Sequence, residues 1–212
     1  MELRLSEGWV EPQLAQEFPE LALVHAPLAA RPRRTPPEVR ERLDALADRY
    51  TGAKVIHMRR DAVPWAYRVF SRQVGMDPDT DRTPVEAIAV ERLRRGGLGA
   101  HNLVDDALTI AVAETGVPVF VLDADKVEGE PGLRLARAGE WLSERRALFE
   151  RQLVVADASR PLALVLGQVS ERAGVTADTR RMTMCALRVK GVAPIVAEEA
   201  LWTLAETLSG PP

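Results

Sequence analysis

A chain of 212 residues, 46% apolar and 28% charged with a formal net charge of −3, is long enough to bury one sizeable core and has the composition of a soluble globular protein. No apolar run approaches the roughly 20 residues of a membrane-spanning helix. The start, Met1-Glu2-Leu3-Arg4-Leu5, is too short and too charged for a signal peptide, so a cytoplasmic protein with no membrane association is expected.

In chain order, Glu20 to His25 reads as a strand, and Ala26 to Arg34 as a Pro- and Arg-rich loop. Thr35 is placed to cap a helix with Pro36 or Pro37 in its first turn, burying Val39, Leu43, Leu46, Ala47 and Tyr50 at the 3.6-residue period. A second helix after Pro64 should turn Trp65, Val69 and Phe70 inward and end near Gly75. A polar turn over Asp77 to Arg82 follows. Thr83-Pro84-Val85-Glu86 has the form of a capping box, opening a helix to Arg95 that stops at Gly96-Gly97. Asn102 caps the next helix, Leu103 to Glu114, which is apolar almost all round and therefore expected to be buried before Gly116 ends it.

The pattern then shortens to strands at Val117–Leu122, Leu133–Ala138, Leu153–Ala156, Leu162–Leu166 and Met182–Val189. A last helix after Pro194 should bury Ile195, Val196, Leu201 or Trp202, Leu204 and Leu208, and Gly210 stops it. No repeat, low-complexity segment or linker divides the chain. The expectation is one α/β (α+β) domain over residues 1–212, with helices packed on mixed or antiparallel sheets.

Charge is uneven. Residues 31–72 carry eleven Arg/Lys and five Asp/Glu, a net of +6. Such a segment is either a phosphate-binding face or a solvated helix surface balanced by neighbours. The lone Cys185 lies in the apolar run Met182 to Leu187 and is expected as a small buried side chain, with no internal disulfide. No Cys/His cluster has metal-ligand spacing, so neither a metal nor a cofactor is expected. Gly96-Gly97 and Gly99 follow a helix rather than a strand and read as a turn, not a phosphate loop. Asp105 and Asp106 project about 100° apart on a helix and cannot form a catalytic pair; one of them should be buried and tie the helix to a loop. Asp123 and Asp125 read as turn residues.

The segments Leu93-Arg94-Arg95, Asn102 with Asp106, Gly116-x-Pro118 with Asp123, Val127-Glu128-Gly129, Arg134, Ala136, Gly139-Glu140, Leu153 to Asp157, Leu162 to Leu164, Glu171, Gly174-Val175 and Asp178-Thr179-Arg180 recur in a characteristic order. In that order they resemble the B3/B4 editing domain of the phenylalanyl-tRNA synthetase β subunit and the free-standing proteins built on it. The resemblance covers Trp65 to Gly191 (residues 65–191), about 60% of the chain.

It implies a protein that binds tRNA at its aminoacylated 3′ end and hydrolyses a mischarged ester in trans. An alternative is an amino-acid- or tRNA-binding module without chemistry. By this resemblance Glu171 falls where the family reads the tyrosine hydroxyl, and a carboxylate that needs a donor discriminates strongly against a ligand lacking one. Asn102, Asp106, Thr109 and Thr179 line or brace the substrate pocket, and Phe120 shapes it. Arg94, Arg95, Arg180 and Arg181 meet tRNA phosphates. No residue is assigned as catalytic. Phe120 stands where synthetase members carry histidine, and Leu108-Thr109 where they carry Thr-Asn, which makes the pocket wall more apolar.

Overall fold

The computed structural model describes residues 3–210. Among these, two four-stranded sheets and a two-stranded hairpin are packed with seven α-helices, a mixed α/β architecture. In order the elements are β1 (Ser6–Glu7), β2 (Trp9–Val10), α1 (Pro12–Glu17), β3 (Ala22–Ala29), α2 (Pro37–Arg49), α3 (Gly52–His57), α4 (Ala62–Gln73), α5 (Pro84–Arg95) and α6 (Leu103–Thr115). They continue with β4 (Val119–Asp123), β5 (Gly132–Leu135), β6 (Trp141–Ser143), β7 (Arg146–Ala147), β8 (Leu153–Ala156), β9 (Pro161–Leu164), β10 (Arg181–Arg188) and α7 (Pro194–Ser209).

The first sheet has the order β1-β3-β10-β4 and is antiparallel throughout. Its central strand β10 pairs Cys185 with His25 on one side and Phe120 on the other. The second sheet, β2-β5-β8-β9, is antiparallel except for the β2–β5 pair. That pair is so close that a side chain on Gly132 would collide with the Trp9 indole. Helices α6 and α7 pack on each other; the main apolar core includes residues from Leu3 to Leu208, and Ala136, Leu142, Leu148, Val154 and Ala156 form a second, smaller cluster.

Helix boundaries follow local chemistry. The Thr83/Glu86 capping box forms and Gly96 closes α5 in the left-handed conformation. The Asn102 side chain accepts from Val104 N and Asp105 N, and Gly116 closes α6. Val39, Leu43, Leu46, Ala47 and Tyr50 are buried, as the period predicts. Cys185 is fully buried, and burial pushes its thiol pKa well up.

Several expectations change, and one left open is resolved. Strand β3 runs on to Ala29, because β10 continues to offer it partners as far as Arg181. Thr35 is not the cap of α2: Pro36 takes that position, and the Thr35 hydroxyl donates instead to the buried Asp106 carboxylate. Trp65 and Val69 face outward, with Trp65 50% exposed, because α4 begins at Ala62 and its inward stripe is Tyr67 with Phe70. Ile195 lies in the first turn of α7 and is exposed, while Leu201, Leu204 and Leu208 are buried. The basic segment is balanced in part: Arg42 pairs with Glu114, Lys54 with Asp61, and Arg59, Arg68 and Arg72 with Asp79, the first two also with Glu86, while its other six arginines have no ion pair among the described residues.

The Arg68–Glu86 pair is the most deeply buried of these ion pairs, its N–O distance 2.8 Å and its side chains 5% and 3% exposed. Glu86 also receives the Thr83 hydroxyl, so one carboxylate joins α4, α5 and the helix cap. Removing one partner of a buried pair leaves the other uncompensated. Arg68→Met should therefore cost roughly 3 kcal/mol in urea unfolding, and Arg68→Met with Glu86→Gln less than the sum of the two single changes.

Several carboxyls have pKa values held below the usual carboxylate range. Glu140 is held down by the Arg134 guanidinium, which it meets in a fork of 2.6 and 2.7 Å. For Asp157, burial pushes upward, but the N–H groups of Glu128, Ser159 and Arg160 outweigh it. The unfolded chain therefore binds these protons at higher pH than the folded one. The stability they confer is complete above the ordinary carboxylate range near pH 4 and is lost as pH falls through the depressed folded values. Glu140→Gln should flatten the acid limb of a stability profile measured between about pH 3 and pH 7.

Candidate functional site

The cavity that gathers the most sequence-singled residues opens at the start of α6. Its volume is about 500 Å3. Asn102, Val104, Asp105 and Leu108 come from the cap and first turns of α6, Phe120 and Val121 from β4, and Pro32 from the loop after β3. Gly167, Val169 and Gly174 to Ala177 close the remaining side. The wall is mainly apolar. Asp105 is its one carboxylate, and that carboxylate accepts from Asn102 Nδ2 at 2.6 Å.

Asp106 follows Asp105 but points into the protein, 1% exposed, and binds the His101 N–H at 3.0 Å together with the Thr35 hydroxyl. One of the adjacent aspartates thus faces the cavity and the other anchors two loops, as their angular separation on a helix requires. On the far lip, Thr179 Oγ1 donates to Asp123 at 2.7 Å and accepts from Thr176 N at 2.9 Å. Lys126 adds a bond to Gly174 O at 2.7 Å. Burial alone would raise the Asp123 pKa, but the Thr179 hydroxyl, Lys126 and the Asp125 N–H hold it below the usual carboxylate range. Asp123 is therefore ionised at neutral pH and holds the lip to the end of β4.

Of the residues singled out in the sequence, Asn102 and Phe120 line the cavity, while Asp106 and Thr179 lie buried behind it. Thr109 turns its hydroxyl to Asp105 O at 2.9 Å and lies outside the lining. Glu171 occupies the loop that supplies Gly174 to Ala177, but its side chain is exposed and is not part of the wall. Arg94 and Arg95 both pair with Glu91, and Arg94 borders a different cleft of about 870 Å3 between α5 and the β6–β7 hairpin region. Arg180 lies at the cavity lip, with Nη1 3.0 Å from Ala177 O, and Arg181 pairs with Asp125.

Sequence reasoning missed Pro32, Val121, Gly167 and Thr176 as lining residues. Nothing in their local pattern marks them, because only the tertiary fold brings three separate loops together. Among the described residues no cluster of three or more His, Cys, Asp or Glu side chains forms a metal site, and no helix is long and apolar enough to cross a membrane.

Comparison with known proteins agrees with the fold. The B3/4 domain model matches residues 66–200. The chain is 35% identical over 129 residues to the phenylalanine–tRNA ligase β subunit of Xanthomonas euvesicatoria, a match covering 58% of this chain and 15% of that protein. The corresponding subunit of Xanthomonas campestris is 33% identical over 146 residues, covering 66% and 18%, and that of Legionella pneumophila 36% over 78 residues, covering 35% and 10%. The chain thus spans less than a fifth of the length of these relatives and is not a full synthetase subunit. With the matched segment reaching from α4 into α7 and containing most of the cavity wall, the chain belongs to the B3/4 domain family.

Proposed function

We propose that the cavity at the start of α6 receives the aminoacylated 3′ end of a tRNA, and that the protein hydrolyses a mischarged ester there in trans. The observation that carries this reading is the composition of the cavity. It offers an apolar wall of Val104, Leu108, Phe120, Val121, Val169 and Val175, sized for an aminoacyl group, with Asp105 at its edge. The kinship with tRNA ligase β subunits supplies the substrate class.

Asp105 is the one lining side chain able to take a proton from an attacking water. An ester is activated enough that an oriented water beside such a base suffices for slow hydrolysis. Asn102 holds that carboxylate in place, Phe120 forms the apolar floor, and Thr179 and Asp106 keep the two lips apart. The apolar wall favours an amino acid with an apolar side chain. A role for Glu171 in reading a tyrosine hydroxyl requires its side chain to leave solvent and enter the cavity.

Deacylation of a panel of aminoacyl-tRNAs tests this. Turnover of at least one should exceed the buffer rate, and Asp105→Asn should lower it by about 100-fold, the usual contribution of a positioned base. Glu171→Ala should change the rate only for Tyr-tRNA if Glu171 reads the hydroxyl. No acceleration with any substrate at high enzyme concentration refutes hydrolysis.

One observation favours the second reading, a binding module without turnover. Asp105 already accepts a hydrogen bond from Asn102, and the cavity wall holds no serine, cysteine or histidine nucleophile or base. Calorimetry with free apolar amino acids and with a non-hydrolysable aminoacyl-adenosine separates the two. Saturable binding with no turnover, weakened by Val121→Asp, is the outcome expected of the module.

A further inference from the structure

The cavity mouth is not built from the B3/4 segment alone. The strand β3 and the loop that follows it precede residue 66, where the family match begins. The register of β3 on β10 sets Ala29 opposite Arg181. Residues 30–35 therefore leave the sheet beside Arg180 and Arg181, and Pro32 in that loop forms part of the cavity wall.

Its neighbours Arg31 and Arg34 are exposed, and no acidic partner is seen for either among the described residues. The loop is held at two points: Arg33 O accepts from Leu103 N at 3.0 Å, and the Thr35 hydroxyl binds Asp106. Arg33 itself reaches back toward Gly210 and is set apart from the mouth. Across the opening, Arg180 is anchored to the carbonyls of Ala177 and Thr179, each 3.0 Å away, and it too lacks an acidic partner among the described residues.

The acidic groups nearby are partly engaged, though Glu171 is exposed in the lip loop with no ion pair among the described residues. Asp105 is bonded by Asn102, Asp125 is paired with Arg181, and Asp178 is exposed on the lip. Elsewhere Arg59, Arg68 and Arg72 are paired with Asp79 or Glu86, and Arg94 and Arg95 with Glu91, while Arg40, Arg49, Arg60, Arg82, Arg146 and Arg151 are exposed and have no ion pair among the described residues. Positive charge without a protein counter-ion thus lies on both sides of the opening.

We propose that Arg31 and Arg34, from outside the B3/4 segment, together with Arg180, bind the phosphodiester backbone of the single strand whose 3′ end enters the cavity. Guanidinium groups suit this task because their planar forks pair with phosphate oxygens in two-point contacts. The pinned loop presents them with little ordering left to do on binding. This assignment rests on the reading of the cavity as an aminoacyl-end site, and it places two of the three phosphate contacts, Arg31 and Arg34, on residues that a B3/4 segment by itself lacks.

The test uses the full chain and uncharged tRNA, with fluorescence anisotropy at several KCl concentrations between about 50 and 200 mM, where phosphate contacts govern affinity. Arg31→Gln/Arg34→Gln should weaken binding about tenfold at the low-salt end. It should also make the slope of log affinity against log salt shallower by roughly 1.4, about 0.7 for each lost single-strand contact. Adding Arg180→Gln should remove roughly 0.7 more. Circular dichroism melts establish that each variant is folded. A phosphate-free aminoacyl-adenosine should bind the wild type and the variants alike. Failure of that compound to bind the wild type overturns the reading of the cavity, while the tRNA slope still reports on the arginines. A folded double variant with unchanged slope, or loss of slope on Arg94→Gln/Arg95→Gln instead, overturns the assignment.

Discussion

The architecture around the cavity depends on one buried carboxylate. Asp106 is 1% exposed and sits in the first turn of α6, where it receives the His101 N–H and the Thr35 hydroxyl. An unpaired carboxylate there would be costly, so the two donors are requirements of the helix rather than accessories. Satisfying them brings the segment before α2 and the segment before α6 to the same point. Pro32 and Asn102 thereby become opposite parts of one cavity wall. A polar constraint inside the protein thus sets the shape of an apolar space at its surface.

The other lip is built on the same plan. Asp123 ends β4 and takes the Thr179 hydroxyl and the Lys126 ammonium, and Lys126 in turn holds Gly174. Here too a carboxylate at a strand end fixes a loop, and the loop presents mostly backbone and small side chains to the cavity. Between the lips the floor comes from β4, which pairs antiparallel with β10. Phe120 pairs with Cys185 in that register, so the cavity floor and the buried thiol occupy the same face of the sheet.

Much of this was legible in the sequence where the signal is local. The Thr83/Glu86 box, the Asn102 cap, Gly96 and Gly116 each act through their own few residues, and all form as read. The division of labour between Asp105 and Asp106 was legible too, because the helical period alone forces adjacent residues apart. The failures share a different cause. Trp65, Val69 and Ile195 are apolar residues on helices whose inward face was already occupied by Tyr67 and Phe70 or by Leu201 and Leu204. Periodicity gives the spacing of a buried stripe but not its phase when apolar residues flank it on both sides. Thr35 had the right chemistry for a cap, and a distant carboxylate drew its hydroxyl away. Glu171 was singled out by resemblance in order and spacing. Its side chain is exposed and outside the cavity lining, and order and spacing along a chain carry no information on the direction of a side chain.

The distribution of arginine follows from the same contrast between local and tertiary information. Along the chain, residues 31–72 form one basic block. In three dimensions the block divides, since α4 and the turn before it meet Asp79 and Glu86 whereas the loop after β3 meets no such acids among the described residues. A protein of net charge −3 can attract a polyanion only where its positive charge is left unneutralised, because at physiological salt fields decay within about 8 Å. What matters for binding is therefore not how many arginines the block contains but which of them the fold leaves without partners. Arg31 and Arg34 are left so at the opening that Asp106 holds in place.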